Sequence, residues 1–430
     1  MDMNRRQFMT ASVAALTPMI IPSGVMAWGG RLGANDRIVT AHIGLGNRGL
    51  RLISENPHTI AAMCDVDLQR LEKVAGKHQS AVEVFQDYRA LLDRRDIDAV
   101  IIATPNHWHA LQAIHAIEAG KDVYLAGPLC HSLHEGPTLT RVVRSYDAVL
   151  ASDAMLAVED FVQANDLLYD DESSSRVESI EMWAPSNPTG GDTRSHAAPP
   201  RHIDWRMWLG PSPWHPYHPD LLEGGFQWTH AFGGGRIARE GVVQLAAALR
   251  LSGIQTLDKV AVEIQKQSTQ SGLWDVSPEL KLVFSLENAA VKLNWQQPAG
   301  KDEDVTSGIR VVSEQSNKTY TMIDGCLYTS DATDQILDSD RDRYIQESVG
   351  IQNRLLEWGK AIRQRDTRQD LLPYIANTAT LIALAGVATR LHRSLVWDET
   401  HRQFIGDRQA DRFTGQWGAL PNRIEGLDIW

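Results

Sequence analysis

Three glycines near the start of the chain have the spacing of a phosphate-binding turn. Gly44, Gly46 and Gly49 form the pattern GxGxxG directly after an apolar segment, Arg37 to Ile43, and directly before a helical pattern. The first glycine permits a tight turn, the second lets the backbone approach a pyrophosphate, and the third lets the helix pack closely on the strand. The N–H groups at the start of the helix then face the phosphate charge. The motif predicts a dinucleotide-binding site.

A carboxylate follows the next predicted strand at the distance expected for a ribose-binding residue. The apolar segment Ile60 to Met63 leads into Cys64 and Asp65, about 20 residues after the glycines. Asp65 is placed to accept hydrogen bonds from ribose hydroxyls, and its charge would repel a 2'-phosphate. We therefore expect the cofactor to be NAD rather than NADP, with Asn47 and Arg48 also in contact with it. The alternative for Asp65 is a solvated residue at the end of a strand.

Strands and helices alternate from Arg37 to Ala151, which is typical of a doubly wound parallel sheet with its ligand at the carboxyl ends of the strands. Thr104, Asn106 and His109 follow one of these strand ends, so we expect them to bind the cofactor. A helix-capping or packing role is the alternative for the histidine. The further predicted strands are Val82 to Phe85, Ala99 to Ala103, Val123 to Leu125 and Val149 to Ala151.

Residues 1–27 have the pattern of a twin-arginine export signal. Asn4 to Met9 reads NRRQFM, an apolar stretch runs from Ala11 to Ile21, and Val25 to Ala27 resembles a signal-peptidase site. We therefore expect export to the periplasm, with a short amphipathic anchor helix as the alternative. The apolar stretch is too short to cross a bilayer, and no membrane span is expected once the signal is removed.

The composition is that of an ordinary globular protein with length for two domains. The chain has 430 residues, of which 43% are hydrophobic and 22% are charged. A formal net charge of −12 argues against nucleic acid as a partner, because phosphate binding needs clustered cations. Cys64, Cys130 and Cys326 are scattered without the paired spacing of a metal site, so we expect buried thiols and no metal. A small molecule is the expected partner.

Several segments, in this order, resemble the Gfo/Idh/MocA family, which includes glucose-fructose oxidoreductase and inositol dehydrogenase. The resemblance covers nearly the whole chain after the export signal. The matching segments are the turn GLGNRG, ATPNHWHA at 103–110, AGKDVY at 119–124, PLCHSLHEG at 128–136, DWRMWLGPSPWHPYHP at 204–219, FGGG at 232–235 and WDETHRQFIGD at 397–407.

The resemblance implies an α/β fold of two domains. Residues 28–151 are expected to form an N-terminal Rossmann domain, and residues 152–430 a C-terminal α/β domain with a large open antiparallel sheet. The family holds NAD or NADP, often tightly, and transfers a hydride to or from sugars, polyols and related compounds. Its sheets commonly pair in homo-oligomers, and Trp205 and Arg206 in the DWR segment are expected to contact the cofactor from the second domain.

The residues themselves support strands and a helix in the second half of the chain. Apolar and polar residues alternate from Leu280 to Leu286, from Val291 to Trp295 and from Val260 to Ile264, which predicts three strands. Leu381, Leu384, Val387 and Leu391 recur at helical spacing, which predicts a helix that packs in the core.

The residues that move protons in the family are missing here. The family's Glu-Lys-Pro segment matches Ala126, Gly127 and Pro128, so glycine stands where a lysine serves as proton donor or acceptor. On the helix after the glycine run, Val243 and Gln244 occupy the positions of the family's histidines. A positioned acid or base contributes about a hundred- to ten-thousandfold in rate, so these losses predict strongly reduced alcohol oxidation.

Three residues on the same helix are weak candidates to replace the lost groups. Arg239 stands at the position of a family aspartate, Glu240 follows it, and Gln244 lies one turn further on. Arg239 and Glu240 are adjacent on the helix and point in different directions, so only one of them can face the site. No general base is assigned.

Two functions fit the sequence. The first is an NAD(P)-dependent oxidoreductase that acts on a sugar, polyol or sugar derivative with an altered set of proton-handling residues, and it includes glycosidases that work through transient oxidation. The second is a non-catalytic homologue that keeps NAD and binds carbohydrate or a partner protein.

Overall fold

A computed structural model describes most of the chain. The pattern of an export signal lies outside the described residues. The described residues from Val39 onward belong to one compact unit, and all contacts given below lie within it. The described ranges are 37–78, 82–153, 155, 177–191, 198–222, 224–270, 272–298, 307–313, 318–323, 326–331, 350–367 and 370–415.

The first sheet has six strands, and every pair in it is parallel. The spatial order β3-β2-β1-β4-β5-β6 is the doubly wound order of a Rossmann fold, so the predicted fold class is confirmed. The strand order reverses between β1 and β4, which is where such sheets bind ligands. The strands are β1 (Val39–Ile43), β2 (Thr59–Cys64), β3 (Glu83–Phe85), β4 (Ala99–Ile102), β5 (Asp122–Leu125) and β6 (Leu150–Ser152).

Short helices connect these strands, and two of them begin at an aspartate that caps the helix. The side chain of Asp67 accepts hydrogen bonds from two backbone N–H groups of α2, and Asp87 accepts one from α3. The central strands are buried on both faces, as parallel strands covered by helices must be. The helices are α1 (Asn47–Ser54), α2 (Leu68–Ala75), α3 (Tyr88–Leu92), α4 (His109–Glu118) and α5 (Glu135–Ser145).

The second sheet has nine strands in the order β13-β12-β11-β7-β10-β9-β8-β14-β15. The large, mainly antiparallel sheet that was predicted is present, and it is mixed at one pair, because β7 and β10 pair in parallel. The chain between these two strands is long enough for the crossover that a parallel pair requires. The strands are β7 (Val177–Trp183), β8 (Lys259–Gln267), β9 (Leu280–Leu286), β10 (Lys292–Gln297), β11 (Gly308–Ser313), β12 (Lys318–Ile323), β13 (Cys326–Asp331), β14 (Leu395–Asp398) and β15 (Gln403–Phe404).

One face of the second sheet is buried, and two apolar helices pack against strands of this sheet and against each other. Of the described helices, α11 alone is long and apolar enough to cross a membrane, yet 78% of that stretch is buried inside the protein. A helix that is apolar all round is typical of a core position in a large domain. The helices of this half are α6 (Trp205–Leu209), α7 (Pro219–Leu222), α8 (Arg236–Arg239), α9 (Gly241–Leu251), α10 (Ile351–Gln364), α11 (Leu372–Leu391) and α12 (Arg408–Asp411).

The segment 198–222, which carries α6 and α7, is docked on the Rossmann sheet by backbone pairing. Asp67 forms an antiparallel bridge with Ile203, and the N–H of Leu68 donates to the carbonyl of His202. The N–H of Asp204 donates in the other direction, to the carbonyl of Val66. The second domain therefore reaches the carboxyl end of β2, where the ribose-binding carboxylate was predicted.

Candidate functional site

The three glycines of GxGxxG make the turn between β1 and α1, and each has a different reason to be glycine. Gly44 has φ of +91°, and a Cβ there would lie 2.6 Å from the carbonyl oxygen of Ala103. A Cβ on Gly49 would lie 2.0 Å from the carbonyl oxygen of Gly44, so this glycine permits close packing of helix on strand. At Gly46 a Cβ would meet no atom of the described residues within 4 Å, which leaves open space above the turn.

Asp65 closes the turn from the end of β2. Its Oδ2 atom accepts a hydrogen bond of 2.7 Å from the N–H of Leu45, and its Oδ1 atom accepts one of 2.9 Å from the N–H of Asp67. Burial raises the pKa of Asp65, while the guanidinium of Arg70 and these backbone donors act in the opposite direction. The carboxylate is therefore fixed beside the glycine turn and retains lone pairs for a further donor.

The start of α1 presents backbone N–H groups without a side-chain cap, which is the arrangement that attracts a phosphate. Asn47 is exposed at its first position. The guanidinium of Arg48 contacts the carboxylate of Asp153 at 2.6 Å, just beyond β6. The same Asp153 oxygen accepts a hydrogen bond of 2.7 Å from the hydroxyl of Tyr124. Arg48 thus links the helix to the far edge strand in this arrangement.

A groove runs over the carboxyl ends of β1, β2 and β4. From the Rossmann domain its lining includes Gly44, Gly46, Asp65, Arg70 and Thr104. The hydroxyl of Thr104 is held by a hydrogen bond of 2.7 Å to the side chain of Gln112, which also lines the groove. Four of the predicted cofactor-binding residues are thereby brought together at the switch point of the sheet.

The second domain lines the opposite side of this groove, with Met207, Trp208, Leu222 and Phe226. Trp205 lies behind them, stacked on Trp208 at 4.5 Å between ring centroids and bonded through its N–H to the carbonyl of His215. Arg206 is exposed to solvent. The DWR segment therefore does reach the groove, but through the two residues that follow Trp205 and Arg206.

Asn106 and His109 support the end of β4 instead of lining the groove. The Asn106 amide donates a hydrogen bond of 2.7 Å to the carbonyl of Gly233, in the glycine run of the second domain. The ring nitrogens of His109 each lie 2.8 Å from a carbonyl oxygen, one of Pro128 and one of Thr104. Burial lowers the pKa of His109, so the neutral ring has one N–H to donate between these two acceptors.

The position of the family's lysine has a backbone that suits glycine. Gly127 has φ of +122°, and a Cβ on it would lie 3.3 Å from Cε1 of His109. Residues with a side chain rarely adopt this φ, and the histidine ring already occupies the adjoining space. The backbone at this position therefore favours glycine in this protein.

The three weak catalytic candidates do not share one helix as expected: Arg239 ends α8, Glu240 lies between the two helices, and Gln244 is in α9. Each of them contacts other residues of the protein. Arg239 has a side chain that is 56% exposed, and it contacts Gln227 and Glu240. Glu240 pairs with Arg236 at 2.7 Å, and Arg236 also lies over the ring of Trp228. Gln244 is buried and donates a hydrogen bond of 3.0 Å to the carbonyl of Trp183. Glu240 thus belongs to a largely buried ion pair, and Gln244 is a buried amide that bonds to the backbone.

A second cavity lies close to the groove, next to the hydrogen bond between Asn106 and Gly233. Pro105, the neighbour of Asn106, lines the groove, and Gly234, the neighbour of Gly233, lines the second cavity. It is lined by the loop after Gly127, by the segment around His230 and by the C-terminal half of α11. The polar or titratable residues among its lining are Cys130, His131, Ser132, Ser212, His230 and Arg390.

Sequence reasoning missed most residues that the second domain and α2 contribute to these two cavities. Arg70 lies in the first turn of α2, only five residues after Asp65. That short separation is a signal by which the sequence could have identified it. Arg390 carries no local signal, because the helix that bears it is far in the chain from the loops around His131 and His230 that line the rest of the cavity. Cys64 and Cys130 are buried free thiols, as expected. Among the described residues, no group of three or more His, Cys, Asp or Glu is placed to hold a metal ion.

Comparison with known sequences identifies the Rossmann domain. Residues 38–153 match the model of the GFO_IDH_MocA family, described as an oxidoreductase family with an NAD-binding Rossmann fold. A segment of 118 residues, 26% of this chain and 34% of the relative, is 36% identical to the uncharacterized oxidoreductase YrbE of Bacillus subtilis. A segment of 112 residues, 23% of this chain and 25% of the relative, is 35% identical to a glycosyl hydrolase family 109 protein of Shewanella pealeana. These matches span a quarter to a third of the relatives' length.

Solved structures extend the similarity of fold to both domains. A 3-ketoreductase, KijD10 from Actinomadura kijaniata, solved with NADP and TDP-benzene, has a TM-score of 0.56 at 15% identity and covers 83% of this chain and 97% of its own. The myo-inositol 2-dehydrogenase of Lactobacillus plantarum has a TM-score of 0.57 at 12% identity and covers 84% and 99%. The arrangement of a parallel sheet followed by a larger mixed sheet is thus shared with these proteins. Residues 38–153 of this chain are thus similar to the NAD-binding Rossmann domain of the GFO_IDH_MocA oxidoreductase family, in sequence as well as in fold.

Proposed function

We propose that this protein is an NAD(P)-dependent oxidoreductase that transfers a hydride between the nicotinamide and a sugar, polyol or sugar derivative. The observation that carries the proposal is the groove over the switch point, where Gly44, Gly46, Asp65 and Thr104 lie together. The names of the relatives support the substrate class, since they include a 3-ketoreductase and a myo-inositol 2-dehydrogenase.

The residues present fit a dinucleotide. The open space above Gly46 and the uncapped N–H groups of α1 suit a pyrophosphate, and Asp65 suits ribose hydroxyls. The bound nicotinamide would supply the hydride acceptor or donor. The chain itself binds and orients the cofactor, and Trp208 and Phe226 exclude water from the side of the groove formed by the second domain.

NAD is the favoured cofactor in this proposal, and Arg70 is the residue that argues for NADP. Asp65 would repel a 2'-phosphate, whereas an arginine close to the ribose site accommodates one. The nearest atoms of the Arg70 guanidinium and the Asp65 carboxylate are 3.9 Å apart, so the arginine partly neutralises that repulsion. Measuring the affinities for NAD and for NADP would decide which of the two the protein uses.

A non-catalytic homologue is the second candidate, and one specific observation favours it. Gly127 lacks the amine that the family resemblance implies, and a side chain at its φ of +122° would be strained. The first candidate requires proton transfer by other groups, and His131 and His230 line the neighbouring cavity. The proposal also includes export by the twin-arginine route, which rests on the sequence pattern of residues 1–27, and assembly into a homo-oligomer.

The test uses the exported form of the chain and two glycine variants. Purified protein is denatured and the released nucleotide identified, and intact protein is then offered a panel of sugars and polyols while nicotinamide absorbance is followed. Gly46→Val is expected to fold but to lose the cofactor, because its side chain enters the open space above the turn.

Gly350→Val is the matched control. Gly350 also precedes a helix with a negative φ, and a Cβ there meets no described atom within 4 Å. We expect this variant to retain the nucleotide. Equal retention by both variants would contradict the proposed groove, and bound cofactor that no compound in the panel oxidises or reduces would favour the non-catalytic candidate.

A further inference from the structure

The second cavity borders the part of the sheet that the nicotinamide half of a dinucleotide would face. A dinucleotide spans both halves of a doubly wound sheet, and Asp65 at the end of β2 belongs to the half that takes the adenosine ribose. The other half of the molecule then faces the carboxyl ends of β4 and β5. The wall of the second cavity includes Pro128, three residues after β5. A substrate that exchanges a hydride with the nicotinamide would therefore meet the residues that line this cavity.

Among the described lining residues, only two histidines can accept a proton near neutral pH. No aspartate, glutamate, lysine or tyrosine is part of this described lining. An arginine keeps its proton in proteins, which excludes Arg390 as a base. Burial raises the pKa of the Cys130 thiol, so this group stays protonated. The titratable residues that remain are His131 and His230.

The ring of His131 is already bonded to the backbone. Its Nε2 atom lies 2.9 Å from the carbonyl oxygen of His230, and because a carbonyl only accepts hydrogen bonds, Nε2 carries the proton. Burial lowers the pKa of this ring to about 4, so it stays neutral throughout the physiological range. His131 therefore holds the backbone of His230 in place.

The ring of His230 has no such bond. The residue is half-buried and lines the cavity, and neither of its ring nitrogens makes a hydrogen bond to any residue that the structure describes. Its backbone is fixed on both sides, because its N–H donates to Oδ1 of Asp275 at 2.6 Å and its carbonyl accepts from His131. The ring is thus positioned by its backbone and can bond to a hydroxyl of a ligand in the cavity.

The charges around His230 suit a group that gains and loses a proton. Burial lowers the pKa of His230, the carboxylate of Asp275 acts in the opposite direction, and the charges of Arg390 and His392 lower it further. The ring is therefore neutral at neutral pH and able to accept a proton. Once the imidazolium forms, the nearby carboxylate stabilises it.

We propose that His230 accepts the hydroxyl proton when this protein oxidises a sugar or polyol, and returns that proton in the reverse direction. The inference rests on the proposed function and deepens it by naming the proton-transfer residue of the same site. In the oxidation, the O–H bond of the substrate breaks and its proton goes to a ring nitrogen of His230. The hydrogen on the same carbon leaves with its electron pair to the nicotinamide, so the alcohol becomes a carbonyl and the dinucleotide is reduced.

The first experiment measures how turnover by His230→Gln depends on pH. The full chain with bound NAD is offered the compound of the sugar and polyol panel that the unaltered protein oxidises fastest. A positioned base contributes about a hundred- to ten-thousandfold, so we expect kcat to fall by about a hundredfold or more while KM changes little. The unaltered protein is expected to lose activity in acid as His230 becomes protonated, and the variant is expected to lack this decrease.

Asp275→Asn separates the charge of this residue from its structural role. The amide oxygen of asparagine can still accept the N–H of His230, but the negative charge is lost. The pKa of His230 is then expected to fall further, so the decrease of activity in acid moves to lower pH. A residue that only supported the fold would leave the position of this decrease unchanged.

Asp398 and His401 provide matched controls. The N–H of His401 donates to Oδ1 of Asp398 at 2.9 Å, as the N–H of His230 does to Asp275. Neither control residue is among the described lining of the groove or of the second cavity. His401→Gln and Asp398→Asn are therefore expected to keep the turnover and the pH profile of the unaltered protein.

Chemical modification gives a readout that does not depend on turnover. Diethyl pyrocarbonate modifies neutral histidine rings, and mass spectrometry of the digested protein reports the modified fraction of each ring. The reaction is carried out with NADH bound, so that the panel compound is not oxidised. We expect this compound to suppress modification of His230 and to leave that of the exposed ring of His401 unchanged.

Three results would overturn the inference: an unchanged pH profile in His230→Gln, modification of His230 that the compound does not suppress, or loss of the decrease in acid in His131→Gln alone. Each of them, in a protein that holds NAD and turns over, contradicts only the choice of residue. A protein that releases no nucleotide on denaturation or oxidises no compound of the panel contradicts the proposed function, and this inference with it.

Discussion

The imidazole of His109 lies against Gly127, with Cε1 3.3 Å from the point where a Cβ would stand. The same ring is fixed between the carbonyl oxygens of Pro128 and Thr104. The loop after β5 and the end of β4 are therefore packed together through His109, beside the position at which the family resemblance led us to expect a lysine. A lysine at position 127 would meet both a strained φ and the histidine ring.

Gly127→Lys is accordingly expected to restore little or no activity and to destabilise the fold. A side chain at φ of +122° is strained, and strain of this kind costs on the order of 1–3 kcal/mol. Chemical unfolding and activity on the sugar panel measure the two effects. Gly120→Ala is the control, since Gly120 also has positive φ but a Cβ there meets no described atom within 4 Å. Robust turnover in Gly127→Lys would show that this loop adapts more easily than its packing implies.

Asp65→Asn is expected to weaken NAD binding by about tenfold or more, because a charged acceptor for the ribose hydroxyls becomes a neutral amide. The same change removes the repulsion of a 2'-phosphate while Arg70 stays in the groove, so the preference shifts toward NADP. Titration with NADH and NADPH, followed by nicotinamide fluorescence, gives both affinities. An unchanged ratio of the two affinities would remove Asp65 from cofactor selection.

Gly210→Ala is expected to loosen the segment that docks on the Rossmann domain. A Cβ at Gly210 would lie 2.0 Å from Cζ2 of Trp108, whose ring packs directly on this backbone. The ring itself lines the groove, and its N–H is bonded to the carbonyl of Trp208. We expect a loss of stability of about 1–3 kcal/mol from overpacking, together with weaker cofactor binding.

The control for this change is Gly253→Ala. Gly253 has φ of +66°, compared with +47° at Gly210, and a Cβ there meets no described atom within 4 Å. The difference in unfolding free energy between the two variants isolates the contact with Trp108 from the cost of positive φ. Equal destabilisation would mean that the tryptophan ring moves aside without cost.

Two buried histidines predict a loss of stability in mild acid. Burial lowers the pKa of His42 and His107 to about 3, whereas an unfolded histidine titrates near 6.5. The unfolded chain therefore binds these protons first, and the unfolding free energy falls as pH decreases from about 6.5 toward 3. Within this window, each histidine lowers the unfolding free energy by up to about 1.4 kcal/mol for each pH unit of acidification.

His42→Gln tests this prediction, because the variant keeps a polar side chain beside Asn56 but no longer titrates. Urea unfolding at several pH values is expected to show a shallower loss of stability in the variant between about pH 6 and pH 4. Parallel curves for the variant and the unaltered protein would mean that His42 accepts a proton in the folded state. Measurements near pH 8, where both states are neutral, give the cost of the substitution itself.

Much of the fold could be predicted because its signals are local. The period-two alternation in residues 280–286 and 291–295 corresponds to β9 and β10, and the apolar spacing up to Leu391 corresponds to the end of α11. The Rossmann strands were recognisable because each is short, apolar and followed by turn residues. The parallel pairing of β7 with β10 could not be predicted, because register between strands distant in the chain leaves no periodic trace.

The candidate site was only partly accessible to sequence reasoning, for the same physical reason. The glycine turn and Asp65 were recognised because the spacing between these residues in the sequence is itself a known motif. Met207 and Trp208 reach the groove because α6 turns them toward it, which depends on how the segment docks at Val66 and Asp67. The environment of Gly127 depends on a histidine from another strand end, so the sequence motif could not reveal that His109 packs against this glycine.

The groove has a wall that belongs to the second domain, and this affects how a ligand enters and leaves. Met207, Trp208, Leu222 and Phe226 approach from a segment tethered by backbone pairing at Ile203 and Asp204. A dinucleotide bound in the groove would lie between this wall and the sheet, so the backbone pairing at Ile203 and Asp204 would slow its release. We therefore expect the coenzyme of the proposed oxidoreductase to dissociate slowly.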